Sequence, residues 1–192
     1  MSTTSAKPSN LNLPNVLTSM RIAFIPVFVW LVLAGGGTEI AWMWAAFLVF
    51  AALMVTDKLD GDIARARGLV TNFGKIADPI ADKALMTAAL VSLNVIGELP
   101  VWITVVILVR EFGITVWRFA LLRQGKVVPA SQGGKLKTAL QSLAVALYLC
   151  PLPGWMDIPT LLVMLAAVAV TLWTGYVYLR DSQRENSTGE LV

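Results

Sequence analysis

Polarity along this chain comes in long blocks. Apolar runs near residues 15–35, 40–58, 79–97, 99–121, 136–152 and 159–179 are close to the roughly 20 residues that an α-helix needs to cross a hydrocarbon core. The pattern predicts an all-α integral membrane protein with six transmembrane helices. Pro14 is placed to start or break a helix, and residues 9–14 are expected to form a short interfacial helix before the first span. Residues 1–10, "MSTTSAKPSN", read as a disordered polar leader. Residues 11–180 read as a single membrane domain and residues 181–192 as a polar tail. The stretch "LLRQGKVVPASQGGKLKTAL" at 121–140 is a basic connection broken by Gly125, Pro129, Gly133 and Gly134.

Composition supports the membrane reading. Hydrophobic residues make up 57% of the chain and charged ones 14%, against about 25% charged in soluble domains. No basic segment leads into a small-residue cleavage site, so the first span is expected to be an anchor and not a removed signal. Cys150 is the only cysteine, which rules out an intramolecular disulfide and a thiol metal cluster. Histidine is absent. That excludes His-based triads and histidine zinc sites, and leaves carboxylates as the natural proton handlers and metal ligands. With six spans, all 15 Lys and Arg residues fall toward one face, while the opposite connections "GGGTE", "GELP" and "PLPGWMDIP" contain none. The positive-inside tendency puts both termini on the cytoplasmic side.

The exception to the apolar pattern is residues 55–85, which hold five aspartates. Asp57 and Asp60 are spaced i, i+3 and Asp78 and Asp82 i, i+4, so each pair shares a helix face. Asp62 is about 200° around the helix from Asp60 and stays outside the cluster. Three readings are open at this point. The acids could hold hard cations such as Mg²⁺, Mn²⁺ or Ca²⁺, they could finish helix ends by pairing with Arg65, Arg67, Lys75 or Lys83, or they could line an ion or proton path. Gly61 and Gly74 allow a ligand or backbone to approach closely, and Arg65 could fork onto a phosphate. Metal ligands, glycine and arginine together favour phosphate chemistry. Arg21, inside the first span, either snorkels to the headgroups or faces a polar cavity.

Asp57-x2-Asp60-Gly61-x2-Ala64-Arg65-x8-Gly74-x3-Asp78-x3-Asp82 resembles the signature of the CDP-alcohol phosphotransferases, with every fixed position present. The resemblance implies displacement of CMP from a CDP-linked lipid by an alcohol. It implies that Asp57, Asp60, Asp78 and Asp82 hold two divalent cations, Mg²⁺ or Mn²⁺. Asp82 would also be the general base, and Asp60, Gly61, Arg65, Thr71 and Gly74 would contact the nucleotide. It further suggests a homodimer.

"LPNVLTSMR" at 13–21, "VTNFGKIADPIADK" and "VREFGITVWRF…GGKLKTA" at 109–139 resemble the bacterial phosphatidylglycerophosphate synthase branch. That implies CDP-diacylglycerol as donor and sn-glycerol 3-phosphate as acceptor, in a bacterial plasma membrane with the site facing the cytoplasm. The acceptor is a dianion, and Arg110, Arg118, Lys135 and Lys137 are the residues expected to form its pocket. The alternative, that they are juxtamembrane cations drawn to anionic lipid, is the less favoured reading. A sister enzyme using inositol phosphate, serine or phosphatidylglycerol is the nearest alternative. An ion or proton transporter is the alternative from another class, and the lack of an inverted repeat counts against it.

Overall fold

The structure is a computed structural model that describes residues 12–66, 71–123 and 133–188, with backbone alone at Arg65, Asn72, Lys75 and 184–188. The leader, residues 124–132 of the basic connection and the last residues of the tail lie outside the described residues, as does the side chain of Arg65. The described chain is six α-helices and one 3₁₀ turn, without a strand. They are α1 (Leu13–Gly35), α2 (Ile40–Ala66), α3 (Asn72–Val95), α4 (Val101–Arg123), α5 (Gly133–Leu149) and α6 (Asp157–Thr188), with Gly154–Met156 as the 3₁₀ turn.

Among the described residues, three segments are long and apolar enough to cross a membrane: Leu13–Gly35, Ile40–Ala64 and Gly154–Gln183. This is the make-up of a multi-pass helical membrane protein. The remaining expected spans are helical too. α3 carries charged side chains in its first half and α4 from its middle onward, and α5 is only 17 residues long.

α1 starts at Leu13, capped by Asn12, whose side chain accepts from the Asn15 backbone N–H at 3.0 Å. From Leu13 on the chain is thus already in α1, while residues 9–11 of the expected interfacial piece lie outside the described residues. At the other end Gly36 takes the left-handed conformation (φ 54°) and donates its N–H to the Val32 carbonyl, a conformation that glycine adopts without steric cost.

Two compact units emerge. The first holds α1, α2 and α3 together with Leu149–Pro151. Its α1 packs against both α2 and α3. Phe28 and Val32 of α1, Met43, Ala46 and Phe50 of α2, and Ala81, Leu85, Ala89 and Leu93 of α3 are buried. The Phe28 and Phe50 rings lie 5.8 Å apart. Small residues at such contacts let helix backbones approach closely.

The second unit holds Glu98–Tyr148 and Leu152–Val192, and so α4, α6 and most of α5. Its buried side chains include Ile103 and Ile107 of α4, Ala144 and Val145 of α5, and Met164 and Ala167 of α6. Polar ties cross it as well: Gln141 donates to the Thr171 hydroxyl at 2.8 Å, and Trp117 Nε1 to the Ser182 hydroxyl at 3.0 Å.

Candidate active site

The aspartates lie inside helices and not at frayed polar ends. α2 runs past the hydrophobic stretch at 40–58 to Ala66, so Asp57 and Asp60 sit on regular helix. α3 begins at Asn72, seven residues before the apolar run at 79, because Thr71 caps it: the Thr71 hydroxyl accepts from the Gly74 backbone N–H at 3.0 Å. Pro79 is accommodated within the helix despite the backbone donor it lacks.

One face of α1 reaches Asp57 and Asp60 of the first acidic pair and Asp78 of the second. Arg21 is 1% exposed. Its Nη1 lies 2.6 Å from Asp57 Oδ1, and its Nη2 donates to Asp60 Oδ2 at 2.6 Å. Of the two readings that the sequence leaves for Arg21, the structure supports the interior one, with the guanidinium turned onto carboxylates. Thr18, three residues earlier, donates to Asp78 Oδ1 at 2.6 Å. Asn15, three earlier again, donates Nδ2 to the Thr71 hydroxyl at 2.9 Å. Asn15, Thr18 and Arg21 thus reach the α3 cap, Asp78 and the α2 pair in turn.

The expected site residues can be placed individually. Asp60 is buried and within electrostatic reach of Arg21, Asp57 and Asp78. Asp57 and Asp78 are half-buried, and Asp82, one turn beyond Asp78 on α3, is half-buried too. Gly61 follows Asp60 on α2. Gly74 is packed so that an added Cβ would lie 2.9 Å from Asn15 Oδ1, 3.4 Å from Thr71 Oγ1 and 3.8 Å from Asp78 Oδ2. Any side chain there would push into the polar cluster.

Whether a divalent cation suits these residues can be judged from their donors. Among the described residues no three acidic side chains converge closely enough to coordinate one ion. The chemistry nevertheless fits. Asp57, Asp60 and Asp78 offer hard oxygens, Asp57 and Asp78 both act electrostatically on Asp60, and Asp57 and Asp60 already hold a cationic group in the form of Arg21.

A second polar cluster lies in the unit of α4–α6. Glu111 accepts from Arg110 Nη1 at 3.0 Å and from Lys137 Nζ at 2.5 Å through the same Oε1. Arg110 Nη2 donates to the Thr174 hydroxyl at 2.8 Å. Gly175 leaves room for Arg110, since a Cβ there would meet Nε at 3.0 Å and Cγ at 3.2 Å. Two cations thus share one carboxylate, and Arg110 Nε is buried without a hydrogen-bond partner among the described residues. Of the four expected pocket cations, the structure brings together Arg110 and Lys137. Arg118 instead lies over the Tyr178 ring, 5.5 Å from its centre, and Lys135 is exposed.

Sequence reasoning passed over Asn15, Thr18, Glu111, Thr174 and Gly175. For three of them a signal was present. Asn15 and Thr18 stand at three-residue steps from Arg21 in an otherwise apolar helix, and Glu111 is an acid in the middle of α4.

Comparison with known proteins shows the family. Residues 11–173 match the profile of the CDP-alcohol phosphatidyltransferase family. The chain is 45% identical over 174 residues, spanning 91% of it and 83% of the relative, to a probable phosphatidylglycerophosphate synthase of Mycobacterium tuberculosis. It is 43% identical over 152 residues to a CDP-diacylglycerol–glycerol-3-phosphate 3-phosphatidyltransferase of Bacillus subtilis, covering 74% of this chain and 79% of that one. A CMP-forming cardiolipin synthase of Streptomyces coelicolor is 38% identical over 122 residues, covering 62% of this chain and 55% of the relative.

Proposed function

This chain belongs to the CDP-alcohol phosphatidyltransferase family, and from that premise we propose that it transfers the phosphatidyl group of CDP-diacylglycerol to sn-glycerol 3-phosphate. The products are phosphatidylglycerol phosphate and CMP. The observation that carries this reading is the α1 stripe in contact with three of the four signature aspartates, Asp57, Asp60 and Asp78, taken with relatives whose names state this donor and this acceptor.

In the reaction, the acceptor's hydroxyl oxygen forms a bond to the phosphorus that carries diacylglycerol, as the bond from that phosphorus to the CMP oxygen breaks. Asp82 takes the hydroxyl proton, which requires only hydrogen-bond reach. Asp57, Asp60, Asp78 and Asp82 would hold two divalent cations, Mg²⁺ or Mn²⁺, whose contribution is to neutralise charge on the pyrophosphate and the departing CMP. Asp60, Gly61, Arg65, Thr71 and Gly74 bind the cytidine nucleotide, Gly74 by leaving space and Thr71 by fixing the turn that presents it.

Arg110 and Lys137 bind the acceptor's phosphate, with Arg118 and Lys135 contributing positive field. Support comes from the charge balance of the second cluster, where one carboxylate faces two cations. A dianion would find charge and donors in place there. The protein acts as a homodimer, with residues 11–180 as one membrane domain of six transmembrane helices. It lies in a bacterial plasma membrane with the site and both termini on the cytoplasmic side, so the acyl tails stay in lipid while the headgroup reacts.

The likeness to a CMP-forming cardiolipin synthase favours keeping a second reading, a sister enzyme with another acceptor, for which we take phosphatidylglycerol. That lipid presents a phosphodiester in place of a terminal phosphate, and would not need the Arg110–Lys137 pair. The two are separated by measuring CMP release from CDP-diacylglycerol by purified protein, with each acceptor offered alone and with Mg²⁺ or EDTA. Release with glycerol 3-phosphate and Mg²⁺ only is the expected result. Release with phosphatidylglycerol only would replace the acceptor, and release undiminished in EDTA would remove the cations.

A further inference from the structure

Arg21 differs in kind from its neighbours on the α1 stripe. Asn15 and Thr18 are neutral and make short hydrogen bonds, whereas a guanidinium stays charged at any ordinary pH. Its side chain is fully buried, and Asp60 beside it is 3% exposed. Burying such a charge is costly unless an opposite charge is held against it. Asp57 and Asp60 carry two negative charges on one face of α2, which would repel each other if left alone.

The way Arg21 is held also matters. Among the described residues its Nε has no hydrogen-bond partner, and Nη1 meets Asp57 at ion-pair distance without hydrogen-bond geometry. Only Nη2 makes a formal hydrogen bond, to Asp60. Attraction between charges dominates this contact, and the full donor fork of an arginine is not used. A second cation can compete with such an attachment.

We propose that Arg21 is a built-in counter-cation. It keeps Asp57 and Asp60 together when no divalent cation is bound, and competes with that cation for their oxygens. The inference rests on the reading of the aspartates as metal ligands and deepens it, because it assigns a positioning residue outside the aspartate signature. Arg21 lets the unit of α1–α3 keep its packing without metal, and it weakens the hold on the metal in return.

The test uses the full-length protein purified in detergent with Mg²⁺, as wild type, Arg21→Gln and Arg21→Lys. Thermal unfolding is measured in EDTA and in Mg²⁺, and Mn²⁺ binding to the stripped protein by electron paramagnetic resonance. Wild type should keep most of its stability in EDTA and gain only modestly from Mg²⁺. Arg21→Gln should lose stability in EDTA, recover it in Mg²⁺, and bind Mn²⁺ on the order of tenfold more tightly, since a nearby positive charge has gone. Arg21→Lys keeps the charge and should follow wild type in both assays.

The proposal is overturned if the Gln variant unfolds alike with and without Mg²⁺, or binds Mn²⁺ no better than wild type. It is overturned too if that variant fails to fold even in Mg²⁺, which marks a purely structural arginine, or if the Lys variant behaves as the Gln variant does. Wild type that binds no Mn²⁺ would remove the metal reading first, and this inference with it.

Discussion

Replacing Thr18 by valine tests the α1 stripe with the least steric change. Valine has nearly the shape of threonine, so the 1%-exposed position stays filled and only the hydroxyl is lost. That hydroxyl lies 2.6 Å from Asp78 Oδ1 and 3.1 Å from the Pro14 carbonyl. It has a single proton, and the shorter contact to a charged acceptor takes it. A hydrogen bond to a charged group contributes about 1.5–3 kcal/mol, and Asp78 is only half-buried, so water offsets part of the loss and about 1.5–2 kcal/mol is expected. If Asp78 is fixed by Thr18 for the reaction, kcat/KM for CMP release should fall roughly ten- to thirtyfold. The melting temperature should drop by a few degrees, at about 2–4 °C per kcal/mol for a chain of this size. Thr18→Ser, which keeps the hydroxyl, should restore most of the activity. A valine variant with wild-type kcat/KM would show that the Thr18–Asp78 bond does not serve the reaction.

Three further outcomes follow from the same geometry. Asp82→Asn should abolish CMP release while leaving CDP-diacylglycerol binding measurable by titration, and unchanged turnover would remove Asp82 as the base. Gly74→Ala should raise the KM for CDP-diacylglycerol, because its Cβ would meet Asn15 Oδ1 at 2.9 Å. Crowding of this kind costs about 1–3 kcal/mol, against about 1 kcal/mol gained from the better helix former. Arg110→Ala should raise the KM for glycerol 3-phosphate far more than that for the lipid, with Gly175→Ala acting in the same direction but less, since it only displaces Arg110. Equal effects on both substrates would sink the acceptor assignment.

The pairing of the four aspartates was legible in the sequence, because i, i+3 and i, i+4 spacings share a helix face whatever surrounds them. The ends of the helices that bear them were not. Hydropathy falls at Asp57, so the apolar run of α2 reads as finished at residue 58, yet the helix continues to Ala66 with two of those acids turned onto Arg21. Likewise the apolar run of α3 opens at residue 79, while the helix opens where Thr71 caps it. Capping depends on one side chain and one backbone N–H, which a hydropathy average does not register. The same limit applied to Arg21. Snorkelling and burial need the same residue at the same depth, and only the position of a partner on another helix decides between them. Glu111 was visible as an acid next to Arg110, but its link to Lys137, 26 residues on, joins two separate helices and follows no local pattern.

These misses share a physical origin. Between helices in lipid, burying apolar surface gives little preference for one neighbour over another, because the acyl chains are as apolar as the side chains they would replace. What distinguishes the right neighbour is close packing of small residues and the few polar contacts. In the first unit the contacts that tell α1 where to sit are Asn15 to the α3 cap, Thr18 to Asp78 and Arg21 to the α2 pair. These same contacts hold three of the four aspartates proposed as metal ligands, and the Thr71 cap beside them. Fold specification and site geometry therefore rest on one set of bonds, and a substitution that breaks one perturbs both. Loss of activity alone cannot assign a role to any residue of the stripe. The informative variants are those that keep shape while changing one property, such as Thr18→Val for the donor and Arg21→Lys for the charge geometry, read out by stability and kinetics together.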